Sequence, residues 1–305
     1  MKLVTQMSIV MLSLCFYSTA YAGKTEADKV AKEALECRRI QPFYWEVGDA
    51  NSVLASSSVG SEYDRESEIR MASASKFIFA AYVFEKLRGD LNPHQKNLLL
   101  MLGGYEDFTP APCELRLKVS GCFDARQNSR VSKESLGKFY YSGGDAQALA
   151  VELGLGNLNR EALAREVSRH LGQKFKIQYP NLALAGGAKM TPGDYAEFLK
   201  SILRGDYLIK NFLGKEAICT SAATCKTAVF SPAKEPWLYS FHHWVELNQQ
   251  KQVEAFSSPG AFGFYPWISA DKKIYGVLAR ENKSRDAYWE SVECGRLIRR
   301  AYLQK

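Results

Sequence analysis

From Phe77 to Phe84 the chain reads Phe-Ile-Phe-Ala-Ala-Tyr-Val-Phe, without a charge or a strong turn former. A run that is apolar nearly all round gives periodicity no inner face to pick, and its length and poor turn content predict a helix packed deep inside a domain. The run is entered through Ser73-Ala74-Ser75-Lys76. Ser73 and Lys76 stand three apart, so they share one face of the first turn. An ammonium held against such a run is poorly solvated. Its charged form is disfavoured, its pKa falls, and the neutral amine can take the proton of a neighbouring serine. The start of the buried helix therefore carries a candidate nucleophile with its base.

The same spacing recurs at Ser135-Leu136-Gly137-Lys138 and Ser231-Pro232-Ala233-Lys234, so spacing alone singles out nothing. Context separates them. Ser231 is followed by a proline that fits a loop, and Lys138 lies in a polar segment where it would be solvated.

Residues 1–22 hold one charge, Lys2, then an apolar run from about Val10 to Phe16, then Ala20-Tyr21-Ala22 before Gly23. This is the layout of a secretory signal peptide cut after Ala22. Its apolar core is too short to span a bilayer, and Cys15 follows Leu14 rather than a small residue, which argues against lipid attachment there. Residues 23–305 are then expected to form a single exported domain, periplasmic or extracellular, with no integral membrane span. The formal charge of +7 is spread along the chain instead of forming a run, so nucleic acid is not an expected partner. A hydrophobic content of 46% supplies a substantial core.

With Cys15 set aside, six of the seven cysteines remain, an even number in a chain that reads as exported, and this favours disulfides. Many pairings are open to six cysteines. Cys113 with Cys122 and Cys219 with Cys225 would each close a small loop, leaving Cys37 to meet Cys294 across nearly the whole chain. A metal site is not expected, because there is no Cys-x-x-Cys and two of the four histidines, His242 and His243, are adjacent.

Helical spacing of apolar residues predicts a first helix from about Glu26 to Arg38, and alternation predicts strands at Gln41–Val47 and Ser52–Val59 around a Gly48–Asn51 turn. Helices are also predicted from Asn92-Pro93 to Met101, at Ser132–Lys138, Asp145–Leu153 and Asn159–Leu171, and from Thr191 to Leu203. Cysteines, prolines and glycines between Tyr105 and Arg130 describe a stapled loop. After Pro236 the pattern changes to aromatic and β-branched strands at Trp237–Leu247, Val253–Ser257, Ala261–Ile268 and Lys273–Arg280, and a helix from Asp286 to Leu303 closes the chain.

Two further segments align with Ser73 and Lys76: Phe139-Tyr140-Tyr141-Ser142-Gly143-Gly144-Asp145, with hydroxyls just before a helix, and Phe256-Ser257-Ser258-Pro259-Gly260-Ala261-Phe262-Gly263. In this order, between a first hairpin and a last helix, the constellation resembles the serine β-lactamases, DD-peptidases and related esterases, and the resemblance covers most of the chain. It implies an α/β (α+β) fold with an antiparallel sheet flanked by N- and C-terminal helices, formed by 23–68 and 214–305. An all-helical lobe at 69–213 completes the fold, with the active site between the lobes. It also implies an acyl-transfer hydrolase without metal or organic cofactor, acting on a small-molecule or peptide substrate, with cell-wall fragments among the candidates. Ser73 would attack the carbonyl and Lys76 would accept its proton. Tyr141 or its neighbour Ser142 would relay the proton to the leaving group, with Tyr141 favoured. The backbone N–H groups of Ser73 and Ala261 would form the oxyanion hole, with Ser258 and Gly260 in the same substrate-binding segment, where Gly260 and Gly263 would let a substrate approach closely.

The departures are as informative. The third motif of the family begins with lysine or histidine, and here that position is Ser258. The asparagine of the second motif is replaced by Gly143 or Gly144, and no Glu or Asp lies between Phe175 and Met190, where class A enzymes carry their water-activating glutamate. The expected function is therefore a serine hydrolase whose ester or amide substrate need not carry a free carboxylate. A DD-peptidase, a weak β-lactamase and a catalytically degenerate binding module are the alternatives.

Overall fold

A computed structural model of the protein describes residues 23–304, and the segment read as a signal peptide lies outside the described residues. The chain opens with α1 (23–33) and α2 (Leu35–Arg38), followed by the hairpin β1 (Phe43–Gly48) and β2 (Val53–Val59). Asp49 Oδ1 closes the hairpin turn by accepting from the N–H groups of Asn51 and Ser52. The middle of the chain holds β3 (Ile69–Arg70), α3 (Ser75–Lys86), α4 (Pro93–Leu99), α5 (Val119–Phe123), β4 (Phe139–Tyr140) and α6 (Gly144–Glu152). It continues with α7 (Arg160–Leu171), β5 (Lys189–Met190) and α8 (Pro192–Arg204). Strands then dominate: β6 (Ile218–Cys219), β7 (Ala228–Phe230), β8 (Leu238–Ser240), β9 (His243–Leu247), β10 (Val253–Ser257), β11 (Tyr265–Ser269) and β12 (Tyr275–Ala279), before α9 (Ala287–Leu303).

The helix boundaries follow their caps. Asn92 and Gln95 form a reciprocal capping box at the start of α4. Asn159 accepts from Ala162 N–H ahead of α7, and Thr191 accepts from Asp194 N–H ahead of α8 with Pro192 at its first position.

Eight strands form one antiparallel sheet in the order β2-β1-β12-β11-β10-β9-β8-β6. Both its faces are covered, and the alternation of side chains along a strand divides them. Phe43, Trp45 and Val47 of β1 share a core with α1, α2 and α9, whereas Tyr44 joins the core built around α3 and α8. Cys37–Cys294 ties α2 to α9, and Cys113–Cys122 and Cys219–Cys225 form as the spacing suggested. Buried Arg299 of α9 bonds Glu246 of β9 at 2.8 Å and the Tyr265 hydroxyl at 3.0 Å, so both charges are neutralised in place.

The apolar run is where its composition put it: every residue from Phe77 to Phe84 is 0% exposed. Three expectations need correction. Ser132–Lys138 is a series of turns, not a helix; Gly137, at φ +77°, bonds Leu102 O and bends the segment over the preceding loop. Trp237–Leu247 is two strands rather than one, reversing at Phe241 and His242, whose φ values are both positive. The strand expected from Ala261 starts only at Tyr265, because Ser258–Phe264 is a turn in which Gly263 sits at φ +102°.

Candidate active site

Ser73 lies in a single 3-10 turn, Ala72–Ala74, that leads directly into α3. Ala72 before it holds φ +43°, a conformation that costs energy in an alanine and persists only where the surroundings enforce it. Those surroundings are on both flanks. Met71 N–H bonds Ala188 O at 2.9 Å, Ser75 Oγ accepts from Ala188 N–H at 3.1 Å, and the Tyr195 hydroxyl donates to Ala74 O at 2.9 Å. The Ser258 hydroxyl donates to Ser73 O at 2.9 Å.

One turn on, Lys76 is 3% exposed and places Nζ 3.0 Å from Ser73 Oγ and 3.2 Å from Ala185 O. Burial pushes its pKa down to about 7, so the amine is substantially neutral near neutrality. Its Nζ also lies 4.6 Å from the centre of the Tyr141 ring. Tyr141 follows β4, its N–H bonding Phe230 O at 3.1 Å, and its ring stacks on Trp244 at 5.1 Å. Burial raises its phenol to about 12, while interactions with the Ser73 and Trp244 side chains oppose the rise.

The structure thus brings Ser73, Lys76 and Tyr141 together, and turns Ser142 elsewhere. The Ser142 hydroxyl donates to Tyr105 O at 2.8 Å and accepts from Gly144 N–H at 3.3 Å, holding the loop before α6. The other two Ser-x-x-Lys stretches are not pairs: Ser231 Oγ accepts from Ala233 N–H, Lys234 pairs with Asp286, and Ser135 is buried while Lys138 is exposed.

Across the cleft is the Ser258–Gly263 turn. Its N–H groups are used unevenly: Ser258 donates to Pro266 O, Gly260 to Phe264 O and Gly263 to Gly260 O, and Pro259 has none. The turn's own bonds leave Ala261 N–H out, and Ala261 lines the same cavities as Ser73 and Tyr141. Ser73 N–H lies in the first turn of its helix, where no intrahelical acceptor exists. Gly260 makes a close approach not to open cleft but to the protein: a Cβ there would sit 2.2 Å from Met71 O.

Ser73 stands between two cavities. The smaller, about 190 Å³, is walled by Trp237, Trp244, Trp289, Tyr141 and Tyr288. The larger, about 600 Å³, reaches Lys76, Phe108, Asn181 and Phe262, and includes the 180–188 stretch in which no carboxylate occurs. His243 is a structural residue: Nε2 accepts from Gly214 N–H at 3.0 Å and Nδ1 faces Phe241 O at 3.2 Å. His242 is fully buried, and burial pushes its pKa down to about 3, so the ring is neutral. Tyr195, which braces the nucleophile's backbone, carries no sequence signal because its partner is a distant carbonyl, whereas Ser258, expected in the substrate-binding segment, spends its hydroxyl on Ser73 O.

No sequence-family model matches the chain, and no curated protein matches it. Solved structures do. The hydrolase EstCE1, which has promiscuous acyltransferase activity, aligns with TM-score 0.67 over 93% of this chain and 99% of its own at 14% identity. The D-amino acid amidase from Ochrobactrum anthropi aligns with TM-score 0.65 over 92% and 100% at 13% identity. A penicillin-binding protein from Bacillus halodurans aligns with TM-score 0.59 over 83% and 94% at 12% identity. The chain shares the mixed α/β fold of these hydrolase, amidase and penicillin-binding-protein structures.

Proposed function

We propose that the protein is an exported serine hydrolase that cleaves an ester or amide through an acyl-enzyme on Ser73. The observation that supports this most is the 3.0 Å contact between Ser73 Oγ and a buried lysine whose pKa lies near 7. In this reading neutral Lys76 takes the Ser73 proton as Oγ bonds to the substrate carbonyl carbon. The carbonyl oxygen becomes an oxyanion facing the N–H groups of Ser73 and Ala261. As the bond to the leaving group breaks, the proton passes from Lys76 to the leaving group by way of the Tyr141 hydroxyl. Water then attacks the acyl carbon and releases the acid, restoring Ser73.

Ser258, where the family carries a cation, is buried and bonded to the nucleophile's backbone, which favours substrates without a free carboxylate over penicillins and D-Ala-D-Ala peptides. The unequal cavities favour a substrate with one compact end, met by aromatic rings and by Arg285, and one larger end. Three disulfides accord with an exported protein; among the described residues no helix is long and apolar enough to cross a membrane.

The test is intact-mass spectrometry of the protein and of Ser73→Ala after exposure to a fluorophosphonate, a penicillin and a short-chain ester. We expect one covalent fluorophosphonate adduct, lost in Ser73→Ala, with turnover of the ester and little penicillin adduct. An adduct that survives Ser73→Ala overturns the nucleophile. Absence of labelling by both covalent reagents favours the degenerate binding module, and rapid penicillin labelling favours the DD-peptidase or β-lactamase alternative.

A further inference from the structure

The most exposed large apolar side chains among the described residues are Leu115, at 85%, and Leu117, at 79%. They alternate with Arg116 and Lys118, which are exposed and join no ion pair among the described residues, and with exposed Glu114 the 114–118 segment keeps a net charge of +1 (two cations, one carboxylate). The segment is not loose chain. Cys113 at its root is buried and bonded to Cys122. Asn128 braces the base through Thr109 N–H at 2.7 Å and Cys122 O at 2.8 Å, and Arg160 donates to both Glu114 O and Pro180 O. At the far end Val119 N–H bonds Leu158 O at 3.0 Å. Two leucines are therefore held out in water by a braced scaffold, at the position where folding would ordinarily have buried or replaced them.

Their place is beside the mouth of the large cavity. Pro110, Ala111 and Glu114, immediately before Leu115, line it, together with half-exposed Phe230 and with Phe262. We infer that the 114–118 segment docks the protein on a lipid bilayer carrying anionic phospholipid, the leucines entering the acyl boundary while Arg116 and Lys118 meet the headgroup phosphates. Apolar side chains flanked by cations are what such a surface selects, since burial of the one and attraction of the other add. Docking in this orientation sets the large cavity against the bilayer. Resting on the hydrolase reading above, this makes an amphiphilic ester or amide, drawn from the membrane with its larger end first, the substrate class.

The probe is Leu117→Trp in the full chain. All five native tryptophans are buried, so quenching by brominated acyl chains reports the new side chain. Vesicles of phosphatidylglycerol and phosphatidylcholine are expected to quench its fluorescence, and vesicles of phosphatidylcholine alone much less. Adding Arg116→Glu and Lys118→Glu should weaken binding at least about tenfold, and raising the salt should weaken the parent likewise. A Leu117→Trp emission that no vesicle quenches overturns the inference, as does quenching indifferent to lipid charge and to both reversals. Hydrolysis of a water-soluble ester by the Arg116→Glu, Lys118→Glu protein is expected to stay within about twofold of the parent, for the segment touches none of the reacting groups. Absence of quenching in Leu117→Trp itself, with its ester hydrolysis intact, rejects only the docking surface. Quenching with no Ser73 adduct rejects only the hydrolase.

Discussion

On one wall of the cleft, Ser73, Lys76 and Tyr141 are set by side-chain contacts: an amine 3.0 Å from a hydroxyl and 4.6 Å from a ring centre, and that ring stacked on Trp244. On the facing wall, the Ser258–Gly263 turn is set by close backbone approach: the Ser258 hydroxyl donates to Ser73 O, the Gly260 backbone packs against Met71 O, and Ala261, whose N–H takes no part in the turn's own bonds, lines the cleft. In the proposed function the first wall supplies proton transfer and nucleophilic attack, which depend on which functional groups are present. The second supplies position, which depends on how closely two backbones approach. The walls should therefore fail differently, the first in rate with little loss of stability, the second in stability and only then in rate.

The largest effect belongs to Lys76. Lys76→Met keeps an apolar stem in an apolar site and removes the base, so acylation by the fluorophosphonate is expected to slow by about three orders of magnitude while the urea midpoint holds or rises. The parent enzyme carries the matching pH signature. Below about 7 Lys76 holds its proton and cannot accept another, and above it the amine is free. The acylation rate should thus climb as pH rises through about 7, and a profile flat from pH 5 to 9 would remove Lys76 from the base role.

Tyr141 and Ser142 are adjacent hydroxyls with opposite surroundings. Tyr141→Phe should cut turnover of an ester with a poor leaving group by about a hundredfold, and much less with a leaving group that departs without a proton. Ser142→Ala should stay within a few-fold and lower stability by about 1 kcal/mol, since its hydroxyl serves the loop backbone. The reverse ranking, read from kcat/KM of the two variants, would exchange their roles.

On the facing wall, Gly260→Ala places a Cβ 2.2 Å from Met71 O. The backbones have to separate, and a loss of about 1–3 kcal/mol in urea denaturation is expected, with slower acylation because the strained turn at Ala72 moves too. Ala261→Ser adds an atom on an exposed position and should leave both quantities within about twofold. A rate loss at Ala261→Ser larger than that at Gly260→Ala would show that this wall works through side chains after all.

How much of this could be read from the chain divides along the same line. The buried helix with its hydroxyl and amine was legible from local composition and spacing, the two short-range disulfides from their small loops, and Cys37–Cys294 as the pair those two left over. The helix expected at Ser132–Lys138 and the long strand at Trp237–Leu247 were misread, because a glycine with positive φ and a reversal at Phe241 and His242 are set by what the segment folds against. For the same reason Gly260, read as room for substrate, is room for Met71. The preference for Tyr141 over Ser142 rested on the family resemblance, and the physical reason that Ser142 is engaged elsewhere was not legible, since the Tyr105 carbonyl it bonds lies 37 residues away.

The smallest effect is expected where the two walls touch. Ser258→Ala removes the 2.9 Å bond to Ser73 O but leaves the turn's backbone bonds in place. The net worth of one such bond is about 0.5–1.5 kcal/mol, and the part-buried Ser73 carbonyl keeps a backbone donor in the turn, so a loss within that range is expected in denaturation. Acylation should fall only a few-fold, since Oγ and Nζ keep their contact through α3 and through the bonds that Tyr195 and Ala188 make to Ala74 and Ser75. Ser258→Thr, which keeps the donor, should restore the rate if its added methyl is accommodated. If Ser258→Ala instead slows acylation as much as Lys76→Met without unfolding the protein, the facing wall contributes chemistry through its side chains, and the division between the walls is wrong.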